Sequence, residues 1–223
     1  MNTNITSIAR VLGLTAALLG TALPSTAAVV VYTDQASYES ALGASIASDS
    51  FNDLALGDAL AGPLARQAGS TGYMARAVPL VSELGGDAFY PIAPGGNTAL
   101  SSNFANATMV FDQFSVRGLS GQFFSSVLGG VLQAGSLNLV LVDQDGSFNY
   151  NLASGIAPSF LGFISNGNIS ALSLSADQPV GDFSYAAVDD LGLSVTSPVP
   201  EPTAASLTLL GLGLLLVAKR RRS

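Results

Sequence analysis

The hydrophobic and polar positions of the chain follow three different patterns. Residues 11–23 are almost entirely apolar, and residues 203–218 form a second, mostly apolar run. Between these runs, apolar and polar residues alternate over short segments that Gly, Ser, Asn and Asp separate. Alternation with a period of two is typical of half-buried strands, and the separating residues favour turns. The pattern predicts one β-rich domain, residues 29–197, with an apolar segment at each end.

The domain is predicted to begin with a strand and one short helix. The strand covers Val29–Tyr32, and the helix runs from residue 34 to residue 42. Thr33 or Asp34 caps the N-terminus of this helix, and Gly43 ends it. The later segments with strand patterns are 50–54, 72–78, 108–111, 114–119, 122–126, 160–165, 169–175, 183–187 and 191–196.

One hairpin stands out among these strands. Residues 137–142 and 148–152 flank the turn 143–147, in which Asp-Gly supplies the positive φ that tight hairpins require. Many short strands with abundant Gly and Ser, and few helical patterns, are typical of all-β folds. We therefore predict a mainly β fold, an antiparallel β-sandwich of jelly-roll type with one short N-terminal helix.

The N-terminal segment has the pattern of a secretory signal peptide, residues 1–28. A polar start with Arg10 is followed by a thirteen-residue apolar stretch, by Pro24 and by small residues. Such a stretch spans about 20 Å as a helix, which is short for a transmembrane segment. Cleavage is expected after Ala28 or, nearly as favourably, after Ala27. A buried N-terminal helix is the alternative interpretation.

The C-terminal segment, residues 198–223, combines three features. A Val-Pro-Glu-Pro motif at 199–202 precedes the sixteen-residue run 203–218, predicted to be a transmembrane helix of about 24 Å. A basic tail, residues 219–223, follows this run. Its cations are Lys219, Arg220, Arg221 and Arg222. Cations beside an apolar helix favour the cytoplasmic side, so the domain is expected to lie outside the inner membrane.

These features closely resemble the PEP-CTERM sorting signal of Gram-negative bacteria, which is also called the ice-binding-protein C-terminal motif. The resemblance implies that an exosortase recognises Pro200, Glu201 and Pro202 while the apolar helix holds the chain in the inner membrane. It also implies that the helix is removed and that the protein passes to the cell surface or the exopolysaccharide matrix. An ordinary C-terminal anchor that stays in place is the alternative.

The domain between the two ends is loosely similar to concanavalin-like or carbohydrate-binding jelly rolls. The phrases that carry this similarity are YTDQASYESAL, SFNDL, FDQFSVRGLSGQFF, FLGFIS, ISALSLS and AVDDLGLS. The similarity implies that the domain binds carbohydrate. An ice-binding surface is a weaker alternative, because the regular ladder of Thr residues that flat ice-binding faces show is missing.

Composition excludes several kinds of chemistry. The chain has no Cys and no His, so it has no disulfide, no Ser-His-Asp triad, no Cys nucleophile and no thiolate–imidazole zinc site. Residues 29–198 contain three Arg against fourteen Asp and Glu, a net charge of −11. Such an acidic surface repels phosphate backbones, so we predict no nucleic-acid partner.

Two groups of carboxylates are candidates for binding calcium. Asp53 with Asp189 or Asp190 forms a structural site if the first and last strands of the domain pair. Asp143 and Asp145 alternate as in a cation loop, but no Glu follows at the closing position, so a plain β-turn is favoured. No other cofactor is expected.

The sequence favours a non-enzymatic protein. A glycoside hydrolase would need a pair of carboxylates in acid and base or nucleophile roles, and no motif marks such a pair. We therefore predict an exported surface or matrix protein that is sorted by an exosortase and associated with exopolysaccharide. A carbohydrate-binding module is the first alternative, and a glycoside hydrolase is a remote one.

Overall fold

The computed structural model describes residues 29–79, 87–154 and 156–194. Within these ranges the chain forms one helix and thirteen strands. In chain order the elements are β1 (Val29–Tyr32), α1 (Gln35–Leu42), β2 (Ala47–Asp49), β3 (Leu60–Ala61), β4 (Leu64–Ala68), β5 (Thr71–Pro79), β6 (Ala88–Ile92), β7 (Ala99–Ser102), β8 (Ala107–Ser126), β9 (Leu132–Gln133), β10 (Gly135–Asp143), β11 (Gly146–Ser154), β12 (Ser159–Ala176) and β13 (Tyr185–Ser194). The prediction of a mainly β fold with one short N-terminal helix is confirmed.

The two predicted end segments lie outside the described residues. This applies to the signal peptide with its cut site at Ala28, and to the C-terminal helix with its flanking motifs. Among the described residues, no helix is long and apolar enough to cross a membrane.

Helix α1 has the ends that the sequence predicts. The Asp34 carboxylate accepts hydrogen bonds from the backbone N–H of Ser37 (2.8 Å) and from its hydroxyl (2.7 Å). Gly43 ends the helix in the left-handed conformation, with φ +61°, and its N–H donates to the carbonyl of Glu39. These caps satisfy backbone groups that a free helix end would leave without partners.

The strands pair antiparallel in one connected sheet that has two halves. In the first half the order is β4-β5-β8-β12-β10-β11. The second half contains the C-terminal end of β8 and the N-terminal end of β12. Its other strands are β1, β2, β3, β6, β7, β9 and β13. Residues 107–112 of β8 pair with β5, whereas residues 118–126 pair with β13. The long strands β8 and β12 therefore pass from one half into the other.

Irregularities explain why these long strands were predicted as separate pieces. Gln113, inside β8, has a φ of +65°, and β12 shifts register between Ile164 and Ile169. Strand β13 shifts register between Asp189 and Gly192. A bulge inserts a residue and reverses the inside–outside alternation, so the hydrophobic pattern breaks although the strand continues.

The main buried cluster takes side chains from both halves. It combines Phe111, Leu141 and Leu172 of the first half with Phe163 and Val188 of the second. Helix α1 covers the outer surface of the second half, where Tyr38 and Leu42 are buried. A Cβ atom on Gly118 would lie 2.6 Å from Leu42, so glycine permits this close approach of the helix to the sheet.

Candidate functional site

The segment after β2 folds back on itself instead of continuing as the predicted strand 50–54. Asp49 ends β2 and is 5% exposed, and its carboxylate accepts a hydrogen bond from the backbone N–H of Phe51 (3.1 Å). Phe51 is fully buried with a φ of +56°. Because this N–H is bound to a side chain, it is unavailable to a neighbouring strand, and the prediction for 50–54 is wrong.

Arg66, on β4, holds this segment through two carboxylates. Its guanidinium donates to both oxygens of Asp49 (2.9 and 2.6 Å) and to both oxygens of Asp53 (2.8 and 2.7 Å). The guanidinium also lies 5.4 Å from the centre of the Phe51 ring. The forked geometry of Arg suits such bidentate pairing, so Arg66 ties the segment after β2 to the β4–β5 hairpin.

Tyr73 completes the Arg66 network, which consists of Asp49, Asp53, Arg66 and Tyr73. Its hydroxyl donates to the second oxygen of Asp49 at 2.7 Å. Burial, reinforced by the Asp49 charge, raises the pKa of the Tyr73 phenol, so the phenol keeps the proton that it donates. The hydrogen bonds from Arg66 lower the pKa of the exposed Asp53 carboxyl. The network is therefore charged and internally hydrogen-bonded at neutral pH.

Two polar depressions lie beside this network. The first has a volume of about 780 Å³ and is bordered by the network, by Gln67, Met74 and Gln113, and by Ser48. The second has a volume of about 240 Å³. Its walls are Gln35, Glu39, Ile46, Ser48, Ser120, Gly121, Gln122, Phe160, Asp190 and Gly192. Ser48, on β2, borders both depressions, which are therefore adjacent.

The predicted calcium ligands Asp53 and Asp189 accept hydrogen bonds from other groups of the protein. Asp53 is engaged by Arg66, while the carboxylate of Asp189 accepts the backbone N–H of Asp190 at 2.8 Å. The first and last described strands do not pair, because β1 pairs with β12 and β13 pairs with β2, β7 and β8. Within the described ranges, no three acidic side chains are grouped so that they could hold a metal ion. The site of Asp53 with Asp189 or Asp190 stays a prediction, and in this structure the Asp53 carboxylate is already paired with Arg66.

The other acidic pair, Asp143 and Asp145, belongs to the β10–β11 turn. Asp143 pairs with Gly146, so Gln144 and Asp145 form the connection, and Gly146 has a φ of +142°. The Asp143 carboxylate accepts the N–H of Asp145 (2.9 Å) and the hydroxyl of Ser165 (2.7 Å). The favoured interpretation as a β-turn agrees with this geometry.

Asp189 makes stability depend on pH. Burial, together with the charge of Asp190, raises the pKa of the Asp189 carboxyl to about 6. The folded state then binds this proton more tightly than the unfolded chain, so the free energy of unfolding decreases as pH rises from about 4 to about 6. We expect Asp189→Asn to weaken this dependence and to increase stability at pH 7 by about 1 kcal/mol, after allowance for solvent screening.

Urea unfolding of the parent chain and the variant at several pH values measures this effect. Asp58→Asn, at an exposed position of the loop before β3, is the matched control because it removes the same charge. A pH dependence that is unchanged in Asp189→Asn, or equally changed in the control, would contradict the assignment.

Three residues of the network were not among the candidate site residues. Arg66 and Tyr73 lie opposite each other in the β4–β5 pair, and Asp49 reaches them from β2, 17 positions from Arg66 and 24 positions from Tyr73. One signal in the sequence could have indicated them. Arg66 is one of only three cations between residues 29 and 198, and a rare cation among many carboxylates favours a specific ion pair.

Residues 198–222 match the PEP-CTERM protein-sorting motif. This match begins four residues after the end of β13 at Ser194. It contains the predicted recognition residues Pro200, Glu201 and Pro202 and the basic residues Lys219 to Arg222. The chain thus carries a PEP-CTERM sorting signal directly after a mainly β domain. No curated protein matches the chain.

Proposed function

We propose that the protein is a non-enzymatic component of the cell surface or extracellular matrix, associated with exopolysaccharide. The PEP-CTERM motif implies exosortase-dependent sorting to the cell surface, with a C-terminal membrane anchor before processing. The observation that carries the proposal is the position of this motif, immediately after the last strand of the β domain. The domain is therefore the part that would remain at the surface after processing.

The short connection between domain and motif supports this role. Residues 195–202 form a segment of eight residues, which extends over at most about 28 Å. The domain therefore stays close to the membrane while the motif is processed. Its net negative charge favours solubility outside the membrane.

The Arg66 network supports a non-enzymatic role. Arg66 and Tyr73 both donate to Asp49, and Arg66 also donates to Asp53, so these groups use their hydrogen bonds to hold the fold together. A catalytic pair of carboxylates within this network would instead need one member to carry a proton near neutral pH. Arg66 lowers the pKa of Asp53, which is the opposite of what a general acid requires.

We also infer that the two halves of the sheet are the two layers of a jelly-roll-like sandwich. The support is that one core cluster takes its side chains from both halves, and that a helix covers the outer surface of only one of them. A carbohydrate-binding module is the second candidate function. Two adjacent depressions with many amide and hydroxyl groups favour it.

Retention by exopolysaccharide tests the proposed function. In a host with an exosortase, the processed protein should stay with the cells when exopolysaccharide is made, and should appear in the medium when its synthesis is deleted. Quantitative immunoblots of cells and medium measure this distribution. A second exported protein without the sorting motif is the control. Equal retention with and without exopolysaccharide would contradict the association, although sorting itself would stand.

A further inference from the structure

We call the two adjacent depressions together the β2 groove, because Ser48 of β2 lines both of them. The uncharged polar side chains that line the groove are Gln35, Ser48, Ser50, Gln67, Gln113, Ser120 and Gln122. Amides and hydroxyls both donate and accept hydrogen bonds, which is also the property of the hydroxyl groups of a sugar.

The charges of the groove disfavour an anionic ligand. Arg66, the one cation among the described residues that line the groove, already binds Asp49 and Asp53 with all three of its guanidinium nitrogens. Two further carboxylates, Glu39 and Asp190, border the second depression. An anionic polymer would meet these negative charges without a free cation to pair with, so a neutral ligand is favoured.

The groove also offers an apolar side chain in each of its two depressions. Met74 lines the first depression and Phe160 lines the second. A sugar ring has apolar C–H groups beside its hydroxyls, and ligand sites in proteins combine such apolar surface with a few well-placed polar groups. The lining of the groove therefore matches both parts of a sugar unit.

Backbone strain is present on both sides of the groove. Gln113 borders the first depression with a φ of +65°, and Asp190 borders the second with a φ of +50°. Non-glycine residues seldom adopt this conformation, and it is concentrated at binding and catalytic sites. Both residues lie at irregular points of long strands, where a bulge turns a side chain away from the alternation of the strand.

We propose that the β2 groove binds a neutral, polyhydroxylated chain, namely a strand of uncharged exopolysaccharide. This inference rests on the proposed function and specifies the surface and the class of ligand through which the protein is retained. Binding depends on hydrogen bonds and apolar contact instead of ion pairs, so it should change little when salt is added.

Direct binding to defined polysaccharides tests the proposal. The full chain, purified in detergent, is titrated with neutral dextran, laminarin and galactomannan, with anionic alginate and with cationic chitosan oligomers. We expect at least one neutral probe to bind, at similar affinity in low and high salt. Each amide that is removed should weaken binding roughly threefold to tenfold. The double variant Gln35→Ala, Gln67→Ala, with one change in each depression, should lose about tenfold or more.

Asn149→Ala is the matched control, since it removes an exposed amide from β11, at the opposite edge of the sheet. Unchanged thermal melting of all variants shows that the fold is kept. The proposal is overturned if no neutral probe binds, if only alginate or chitosan binds, or if the double variant binds as the control does. If the chain is retained by exopolysaccharide on cells but gives one of these results, the proposed function stands. The β2 groove is then not the surface that binds the polysaccharide.

Discussion

Replacing Arg66 with Met should lower the free energy of unfolding by about 3–5 kcal/mol. The side chain of Arg66 is 11% exposed and that of Asp49 is 5% exposed, so the variant leaves a buried carboxylate without its cation. Tyr73 and the backbone of Phe51 would still donate to Asp49, but neither carries a compensating charge. Since small domains are stable by about 5–15 kcal/mol, this loss is a large share of the total.

Urea unfolding, followed by circular dichroism, measures the loss. Arg76→Met is the matched control, because Arg76 lies 3.7 Å from Asp112 in a pair whose side chains are 41% and 25% exposed. A partly exposed pair at this distance contributes about 0–1 kcal/mol. If Arg66→Met costs no more than Arg76→Met, the network does not hold the domain together as described.

Local features of the sequence were sufficient to predict α1 and the β10–β11 hairpin. The helix has its cap at Asp34 and its end at Gly43, and both act through neighbours within a few residues. The hairpin depends on the turn Gln144-Asp145 with Gly146 at positive φ after it, and on alternation in the two flanking strands. Where structure is decided by contacts close in sequence, the pattern predicts it well.

The long strands and the missed strands depend on contacts between distant residues. Residues 108–126 look like three segments because the alternation changes phase near Gln113, yet pairing with β12 and β13 keeps them in one strand. β6 contains Pro91, and β7 consists of Ala, Leu and Ser, so neither shows a strong strand pattern. Pairing with β3 and β13, respectively, places them in the sheet.

The candidate site was hard to predict for a related reason. The sequence predicts Asp53 as a calcium ligand from its charge and from an expected pairing of the first and last strands, whereas the fold brings Arg66 to it from 13 positions away. The hairpin register that places Arg66 opposite Tyr73 cannot be derived from either segment alone. Sequence reasoning found the sorting motif because that signal consists of neighbouring residues, and it missed the network because its members are distant.

The change with the largest expected effect on function is Glu201→Ala. Pro198, Pro200 and Pro202 lack backbone N–H groups and fix φ, so the sequence predicts an extended, accessible segment here. Glu201 is the only acidic residue between 198 and 223, and it lies within the matched sorting motif. By resemblance to that signal, we expect the exosortase to recognise Pro200, Glu201 and Pro202.

We therefore expect Glu201→Ala to leave export and folding intact but to trap the full-length chain in the inner membrane. Loss of one charged hydrogen-bonded contact in the transition state should slow processing roughly tenfold to hundredfold.

Cell fractionation measures the trapped form, and mass spectrometry of the surface protein should show that the parent chain ends near Pro202. Asp58→Ala, which removes a charge from an exposed loop of the domain, should be processed normally. Processing of Glu201→Ala at the parent rate, or an intact Arg-terminated parent chain at the surface of a host with an exosortase, would show that the tail acts only as an anchor.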